Sequence, residues 1–362
     1  MKVLYDHEIF WMQKTGGISR YFSCLIEELI KKSNINPIVS APIFRNIYLR
    51  NINKQYLKGF YLKNKPVFCG NLINFYNNFK TLKNISKEKP DIIHLTYYSN
   101  YLINNNKDYV LTVYDLFHET FNNNNQFRPK SLVLQNAKHI VCISQKTKKD
   151  LINFYKVDET KISVIYLGGD HILRNSIDLN KNSEPFLLYV GSRTRTYKGF
   201  NFLLESFAKS TKLKKDLKLV IFGDETVSKQ EYNLIKNNRL EDRIIFDSGD
   251  DAKLLSYYKN AKAFIFPSTF EGFGLPLVEA MHAGCPVICN SIEVFKEIGS
   301  DSVEFFDYNN SDSLINSIEK VVYDSTYASD LIKKGLNRAK KITWGHCSQL
   351  TENVYKHILQ AK

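Results

Sequence analysis

Short apolar runs that alternate with longer amphipathic stretches constrain the fold of this 362-residue chain more than any other feature. Runs such as KVLYD (2–6) and HIVCIS (139–144) have the length of buried strands, and GISRYFSCLIEELIKK (17–32) has the spacing of a helix. Strands that alternate with helices predict parallel sheets joined by crossover helices. The other strands predicted in the first half are 36–42, 91–96, 109–115 and 161–168, with a second helix at 144–155.

The alternation stops near residue 168, in a Gly-, Asn- and Ser-bearing stretch that we interpret as an interdomain linker, and then starts again. We therefore predict an α/β protein with two Rossmann-like, doubly wound domains, an N-terminal one over 1–170 and a C-terminal one over 183–342. Two such domains that face each other are expected to leave a cleft at the carboxyl ends of both sheets. Ligands of α/β proteins bind at those strand ends. The predicted strands of the second domain are 186–192, 217–224, 243–249, 263–268 and 286–290, and its predicted helices are 199–210, 228–238, 251–261 and 275–283.

Positive charge is concentrated in the first half of the chain. Residues 1–180 contain 25 Lys and Arg against 14 Asp and Glu, a net charge of +11, whereas residues 181–362 have a net charge of +2. Segment 41–89 has ten basic residues against one acidic residue, Glu88, and aromatic residues lie between them. Three interpretations stay open: a solvated face rich in Lys and Asn, a surface for anionic lipid, and a nucleic-acid site, which we favour least.

The compartment is indicated by the N-terminus and the cysteines. No stretch reaches about 18 consecutive apolar residues, and Asp6 lies where a signal peptide would need an apolar run. The six cysteines form no CxxC pair and mostly have apolar neighbours, which favours reduced thiols over disulfides or a zinc site. We expect a cytoplasmic protein.

The stretch YVGSRTRTYKGF (189–200) brings cations to the end of a predicted strand. Arg193 and Lys198 would lie at the edge of the cleft, and Lys198 directly precedes a helix whose N-terminal amides attract anions. Two cations and a helix N-terminus outline a diphosphate site. Taken alone, this stretch is better explained as a solvated basic loop.

The stretch FPSTFEGFGLPLVEAM (266–281) reads as a strand, a glycine-rich turn and a helix with proline in its first turn. Glu271 follows the strand and Glu279 lies about one turn into the helix, on either side of a turn whose amides can approach an anion. Each carboxylate can accept two hydroxyl hydrogen bonds, so the pair suits a sugar and a ribose flanking a phosphate. The structural alternatives are a helix-surface role for Glu279 and a capping role for Glu271.

EGFGLPLVE resembles the E-x7-E element of the group-1 (family 4) retaining glycosyltransferases with the GT-B fold. The resemblance extends in order over nearly the whole chain, through GGISRYF, TVYDLFHE, CISQKTKKDL, YVGSRTRTYKGF, LVIFGD and ITWGHCSQLTENVYKHIL. It implies that residues 343–362 form a helix that crosses back to the N-terminal domain. It also implies the following donor-binding residues: Gly16, Gly17, Arg193, Lys198, Phe273, Gly274, Leu275 and Glu279.

Within that set the resemblance gives each carboxylate a role. Glu271 would reach the hydroxyls of the transferred sugar, and Glu279 would bind the nucleotide ribose. Many members of the family have histidine where this chain has Tyr114, next to the reacting sugar. Asp115 and His118 follow closely, so we expect either to contact the sugar or the acceptor. Glu271, Asp115 and His118 are the predicted catalytic residues.

The implied activity is transfer of a sugar from a nucleotide-diphosphate donor, GDP-mannose-type or UDP-linked, to a glycan or lipid-linked glycan acceptor in surface polysaccharide biosynthesis. The chain lacks a D-x-D motif, and we expect neither a cofactor nor an obligatory metal. A peripheral position at the inner face of the cell membrane stays open for this cytoplasmic protein, and we expect it to bind no nucleic acid. The alternatives are a nucleotide-sugar epimerase or phosphorylase on the same fold and a nucleotide- or nucleic-acid-binding protein without enzymatic activity.

Overall fold

The computed structural model describes residues 1–32, 34–66, 69–103, 107–121, 128–174 and 184–360, with only the backbone of residues 128 and 129. The chain divides into two compact units. The first comprises Met1–Leu167 with Trp344–Lys362, and the second comprises Gly168–Thr343. Part of the predicted linker, residues 175–183, lies outside the described residues.

The first unit is built on a parallel sheet with strand order β3-β2-β1-β4-β5-β6-β7. The central strands are apolar on both faces because helices cover both sides of the sheet. The order places β3 at one edge. The strands are β1 (Lys2–Tyr5), β2 (Asn36–Phe44), β3 (Leu57–Tyr61), β4 (Ile92–Leu95), β5 (Tyr109–Val113), β6 (His139–Cys142) and β7 (Ile162–Val164).

Helix α6 of this unit begins where the sequence supplies a side-chain cap. Ser144 is the N-cap of α6, and its side chain accepts a hydrogen bond from the Thr147 backbone N–H at 3.0 Å. The helices are α1 (Glu8–Met12), α2 (Gly17–Ile30), α3 (Gly70–Glu88), α4 (Phe117–Phe121), α5 (Arg128–Asn136) and α6 (Gln145–Tyr155), with 3-10 turns at Tyr48–Asn51 and Glu159–Lys161.

The C-terminal helix α15 (Trp344–Gln360) belongs to the first unit. Trp344 is fully buried, with its ring 6.1 Å from that of Tyr21 on α2. Lys32 donates to the Glu352 carboxylate at 2.8 Å and fastens the middle of α15 beside the end of α2. The packing of α15 thus joins the last residues of the chain to its first third.

The second unit has a parallel sheet with strand order β10-β9-β8-β11-β12-β13. Its strands are β8 (Phe186–Val190), β9 (Lys218–Phe222), β10 (Ile244–Asp247), β11 (Ala263–Phe266), β12 (Val287–Asn290) and β13 (Glu304–Phe306). Its helices are α7 (Phe200–Lys209), α8 (Thr211–Asp216), α9 (Lys229–Asn237), α10 (Asp251–Asn260), α11 (Leu275–His282), α12 (Glu293–Gly299), α13 (Ser311–Tyr323) and α14 (Ser325–Ala339), with 3-10 turns at Asp170–Arg174, Thr196–Lys198 and Ser300–Ser302.

The two sheets confirm the predicted α/β class with two parallel-sheet domains. The five strands predicted for the second domain are all present, and the two ends of each predicted strand lie within two residues of the observed ends. The predicted ranges were 186–192, 217–224, 243–249, 263–268 and 286–290. The edge strand β3 and the helix α3 were not predicted, since their segment was interpreted only as a basic surface. Among the helices that the structure describes, none has a stretch that is long and apolar enough to span a bilayer.

Candidate active site

The candidate site of the second unit is built on the loops that follow β8 and β11. These strands are neighbours in the sheet, so their carboxyl ends lie side by side. The Tyr197 carbonyl accepts a hydrogen bond from the Thr269 backbone N–H at 2.7 Å, which joins the two loops. Gly199 has a φ of +70°, and a Cβ there would lie 2.3 Å from the Pro267 carbonyl oxygen. Only glycine allows this close approach.

The two joined loops bring Lys198 and Glu271 into direct contact. Lys198 Nζ donates to Glu271 Oε1 at 2.6 Å, and the side chains are 20% and 13% exposed. Burial works to lower the pKa of Lys198, but the charge and hydrogen bond of Glu271 outweigh it and hold that pKa above its usual range. A fixed cation and a fixed carboxylate, 73 residues apart in the chain, therefore share one site.

The turn after Glu271 leads directly into α11. Gly274 is the N-cap of this helix, with a φ of +94°, and a Cβ there would lie 2.8 Å from the ring of Phe295. Proline is in the first turn of α11, as predicted. The Phe273 side chain is buried, so only its backbone is placed to meet a ligand. Gly274 and Leu275 stand at the N-terminal end of the helix, the end that attracts anions.

Glu279 is buried inside the second unit, which rules out the helix-surface role. Its Oε1 lies 3.1 Å from His171 Nε2, and its Oε2 accepts a hydrogen bond from the Tyr258 hydroxyl at 3.3 Å. Burial and the neighbouring Glu279 raise the pKa of Tyr258 well above its usual range, so the phenol stays a donor. Each carboxylate oxygen has a second lone pair, and the two contacts therefore orient Glu279 while leaving acceptor capacity.

The structure corrects the expectation that Arg193 extends to the site edge beside Lys198. The Arg193 side chain is only 1% exposed, and its Nε donates to Glu231 Oε1 at 2.6 Å. Its Nη2 donates to the Glu225 carbonyl at 2.7 Å, and the guanidinium lies 4.9 Å from the ring of Phe246. Glu231 also accepts a hydrogen bond from the Ser228 backbone as part of a capping box. Arg193 thus fastens the loop after β8 to α9.

The Glu225 carboxylate holds the same loop from the other side. It accepts hydrogen bonds from Ser192 Oγ at 2.5 Å and from the Arg193 backbone N–H at 2.6 Å. Although burial works to raise it, these hydrogen bonds hold the pKa of Glu225 below its usual range. Glu225 and Glu231 therefore hold the start of the loop that carries Lys198 in a fixed position.

In the first unit, Gly16 and Gly17 form the start of α2. Gly16 is the N-cap, and the Gln13 side chain accepts a hydrogen bond from the Ser19 backbone N–H at 3.1 Å. A Cβ at Gly17 would meet nothing within 4 Å, whereas one at Gly16 would lie 2.5 Å from Gln13 Oε1. Gly17 is therefore the one of the two that presents open backbone.

Tyr114, Asp115 and His118 follow β5 in the first unit. Tyr114 is buried, and its hydroxyl donates to the Thr96 carbonyl at 3.3 Å, which makes it a packing residue in this position. Asp115 is half-buried, with Oδ1 accepting a hydrogen bond from the Phe117 backbone N–H at 3.1 Å, and His118 is exposed on α4. Both predicted residues thus remain accessible at the carboxyl end of the sheet.

The residues that sequence reasoning missed are the partners of the predicted ones. His171 and Tyr258 contact Glu279, while Glu225 and Glu231 hold the Arg193 loop. The capping box from Ser228 to Glu231 is visible in the sequence but indicates only a helix start. His171 belongs to the stretch interpreted as linker, where no periodicity marked it.

Two family models match consecutive parts of the chain. The model "Glycosyltransferase Family 4" matches residues 15–171, and the model "Glycosyl transferases group 1" matches residues 173–338. The chain belongs to the group 1, family 4 glycosyltransferases and has their GT-B fold.

Similar proteins agree with this assignment. The chain is 26% identical to O-antigen chain mannosyltransferase B of Escherichia coli, over 62% of this chain and 61% of that protein. It is 28% identical, over 58% of each chain, to the Campylobacter jejuni N-acetylgalactosamine-N,N'-diacetylbacillosaminyl-diphospho-undecaprenol 4-alpha-N-acetylgalactosaminyltransferase. The matched region thus spans about 60% of the length of these relatives. The sucrose-phosphate synthase structure from Thermosynechococcus elongatus has the same fold, with a TM-score of 0.78, 19% identity and coverage of 100% of this chain and 99% of that one.

Proposed function

We propose that this protein is a glycosyltransferase that moves a sugar from a nucleotide-diphosphate donor to a glycan or lipid-linked glycan acceptor in surface polysaccharide biosynthesis. The observation that carries the proposal is the Lys198–Glu271 contact of 2.6 Å on the joined loops of the second unit, at the start of α11. A cation and a helix N-terminus suit a diphosphate, and the carboxylate suits sugar hydroxyls.

Leaving-group stabilisation is the main task of this site. Cleavage of the bond between sugar and diphosphate develops positive charge on the sugar ring and negative charge on the departing phosphate. Lys198, held by Glu271 and kept charged, would bind that phosphate more strongly in the transition state than in the ground state. The amides at Gly274 and Leu275 would add the partial positive charge of the α11 N-terminus. Because the Arg193 guanidinium is buried against Glu231, we assign it the positioning of this loop.

Glu279 is assigned to the ribose. His171 and Tyr258 fix the orientation of its carboxylate, so a ribose diol would meet acceptors that are already in place. In the first unit, Asp115 and His118 are assigned to the sugar or the acceptor, and Gly17 to close backbone approach of a ligand. We further propose retention of configuration, with the departing phosphate taking the proton of the acceptor hydroxyl, and no obligatory metal.

The names of the relatives support particular substrates. O-antigen chain mannosyltransferase B makes mannose the first sugar to test, which we expect on GDP, with UDP-linked sugars next. The Campylobacter jejuni relative is named for an acceptor linked to diphospho-undecaprenol, and this makes a polyprenyl-diphosphate glycan the first acceptor class to test.

The proposal is tested by incubating the purified chain with UDP-, GDP- and dTDP-linked hexoses and polyprenyl-diphosphate glycans. We expect release of nucleoside diphosphate that requires an acceptor, with the sugar recovered on the lipid-linked product. Proton NMR of that product gives the anomeric configuration, and the reaction is repeated with EDTA. Formation of an epimeric nucleotide sugar, or of a sugar phosphate when inorganic phosphate is added, would instead indicate the epimerase or the phosphorylase.

A further inference from the structure

Helix α3 of the first unit carries its large apolar side chains on the solvent side. The exposed fractions are 70% for Leu72, 73% for Phe75, 40% for Tyr76 and 57% for Phe79. These positions recur at helical spacing, so the four side chains form one stripe along the first half of the helix. We call this stripe the α3 apolar face.

Up to Thr81 the opposite side of α3 is polar and is anchored to β2, whereas Ile85 in the last turns is buried in the hydrophobic core. Asn77 accepts a hydrogen bond from the Ile43 backbone N–H at 2.9 Å and donates to the Ile43 carbonyl at 3.0 Å. Thr81 Oγ1 lies 3.2 Å from Ser40 Oγ, and both Asn77 and Thr81 are fully buried. Up to Thr81 the distribution of polarity is thus the reverse of that of an ordinary surface helix. Since hydrogen bonds fix the orientation of the helix, the apolar face is held outward.

The concentration of apolar side chains on α3 is specific to this helix. The other large hydrophobic side chains that are exposed in the described part of the chain occur one to a secondary-structure element or loop. Single exposed hydrophobic residues are normal, whereas a contiguous group of them marks a binding surface.

Positive charge continues the apolar face toward the end of α3. Lys83 and Lys87 are exposed one and two turns beyond Phe79, and Lys80 Nζ lies 5.5 Å from the centre of the Tyr76 ring. Residues 54–89 contain eight lysines and one acidic residue. An apolar stripe bordered by lysines has the charge and polarity of a helix that lies in the headgroup layer of an anionic bilayer.

We propose that the α3 apolar face and its lysines dock the first unit on an anionic lipid surface. Leu72, Phe75 and Phe79 enter the boundary between headgroups and acyl chains, and Lys83 and Lys87 bind lipid phosphates. A stripe of eight residues is about 12 Å long, which suits a helix lying along the membrane plane and is too short to cross it. The inference goes beyond the proposed transferase activity and does not depend on it.

The test is co-sedimentation of the full chain with vesicles of phosphatidylcholine and phosphatidylglycerol, compared with vesicles of phosphatidylcholine alone. One variant combines Phe75→Ser with Phe79→Ser, and another combines Lys83→Gln with Lys87→Gln. We expect each double variant to lower the partition coefficient on anionic vesicles about tenfold, with the lysine variant less sensitive to salt than the parent chain.

Two control variants remove matched side chains elsewhere. Phe154→Ser removes a phenylalanine that is 47% exposed on α6, and Lys215→Gln with Lys236→Gln removes two exposed lysines of the second unit. Both controls should bind vesicles like the parent chain, and circular dichroism should show every variant folded.

Three results would overturn the proposal. The first is equal retention of the parent chain on neutral and anionic vesicles, and the second is an equal effect of control and α3 variants. The third comes from light scattering: a dimer of the parent chain that Phe75→Ser with Phe79→Ser converts to a monomer would assign the face to self-association.

Discussion

Removal of Lys198 separates a catalytic role of the Lys198–Glu271 pair from a merely structural one. The pair is 2.6 Å apart and largely shielded from water, so Lys198→Ala leaves the Glu271 carboxylate without its cation. We expect the unpaired Glu271 carboxylate to lower the free energy of unfolding by about 1–3 kcal/mol. Adding Glu271→Gln removes the unpaired charge and should recover most of that loss.

The loss of kcat in Lys198→Ala, unlike the loss of stability, should not be recovered by adding Glu271→Gln. Loss of a preorganised positive charge at the departing phosphate should cost about 3 kcal/mol in the transition state, which is about 150-fold in kcat. The double variant should be no more active than Lys198→Ala, because Glu271 is itself assigned to the sugar. Folding stability is measured by urea unfolding, and kcat by release of nucleoside diphosphate from the donor.

A matched control is the Lys320–Glu304 pair of the same unit, which is 3.0 Å apart. Lys320→Ala should lower stability slightly and leave kcat unchanged. If Lys198→Ala loses stability but keeps kcat within about threefold of the parent chain, the pair is structural and the assignment of Lys198 to the departing phosphate is wrong.

Three further predictions concern positioning, pH and backbone space. His171→Gln should raise the KM for the donor about tenfold with little change in kcat, because Glu279 would bind the ribose equally in the ground state and the transition state. Steady-state kinetics at varied donor concentration measure both constants, and an unchanged KM would contradict the positioning role of His171. Glu352, whose pKa is lowered to about 2 by its hydrogen bonds to two lysines, should stabilise the folded chain by about 3 kcal/mol above pH 4.5, a contribution that is lost as the pH falls from 4.5 toward 2. The stability difference between the parent chain and Glu352→Gln, measured by urea unfolding, should therefore shrink over that range, and a difference independent of pH would argue against the charged pairing. Gly199→Ala should lower the free energy of unfolding by about 1–3 kcal/mol, because the new Cβ would collide with the Pro267 carbonyl oxygen. Gly17→Ala should unfold like the parent chain and lose only activity, because a Cβ there has open space. Equal unfolding midpoints for both variants would refute the steric argument.

Residues 186–290 could be read from the sequence almost element by element. Buried parallel strands are short and apolar on both faces, so runs such as 218–222 and 263–266 stand out between amphipathic helices. The turn from Glu271 to Gly274 was also predictable, since glycine and proline mark the end of a strand and the first turn of a helix.

Helix α3 was not predictable by the same rule. Of its three buried residues, Asn77, Thr81 and Ile85, only Ile85 is apolar. Because Phe75 and Phe79 face solvent, most of the hydrophobic pattern points away from the core. Strand β3 lies at a sheet edge with Lys58 to Phe60 exposed, and therefore lacks the apolar run of a buried strand.

The site was predictable in its motif residues and not in their partners. Lys198 and Glu271 are each followed by glycine, which predicts a turn at both positions. The inward orientation of Arg193 depends on Glu231, which is 38 residues away, and the orientation of Glu279 depends on His171, which is 108 residues away in a stretch without periodicity. Such long-range pairings are set by the packing of the sheet and helices and leave no local signal.

The central claim is that the second unit binds a nucleotide-diphosphate sugar through Lys198. Thermal unfolding of the full chain with UDP-, GDP- and dTDP-linked sugars tests it without any knowledge of the acceptor. At a ligand concentration of about 100 Kd the folded state gains about 2.7 kcal/mol, which should raise the Tm on the order of 5 °C. We predict that one nucleotide sugar raises the Tm with concentration, that the free sugar does not, and that Lys198→Ala makes the rise clearly smaller. An equal rise in the Lys198→Ala variant, or no rise with any nucleotide sugar, would contradict the central claim.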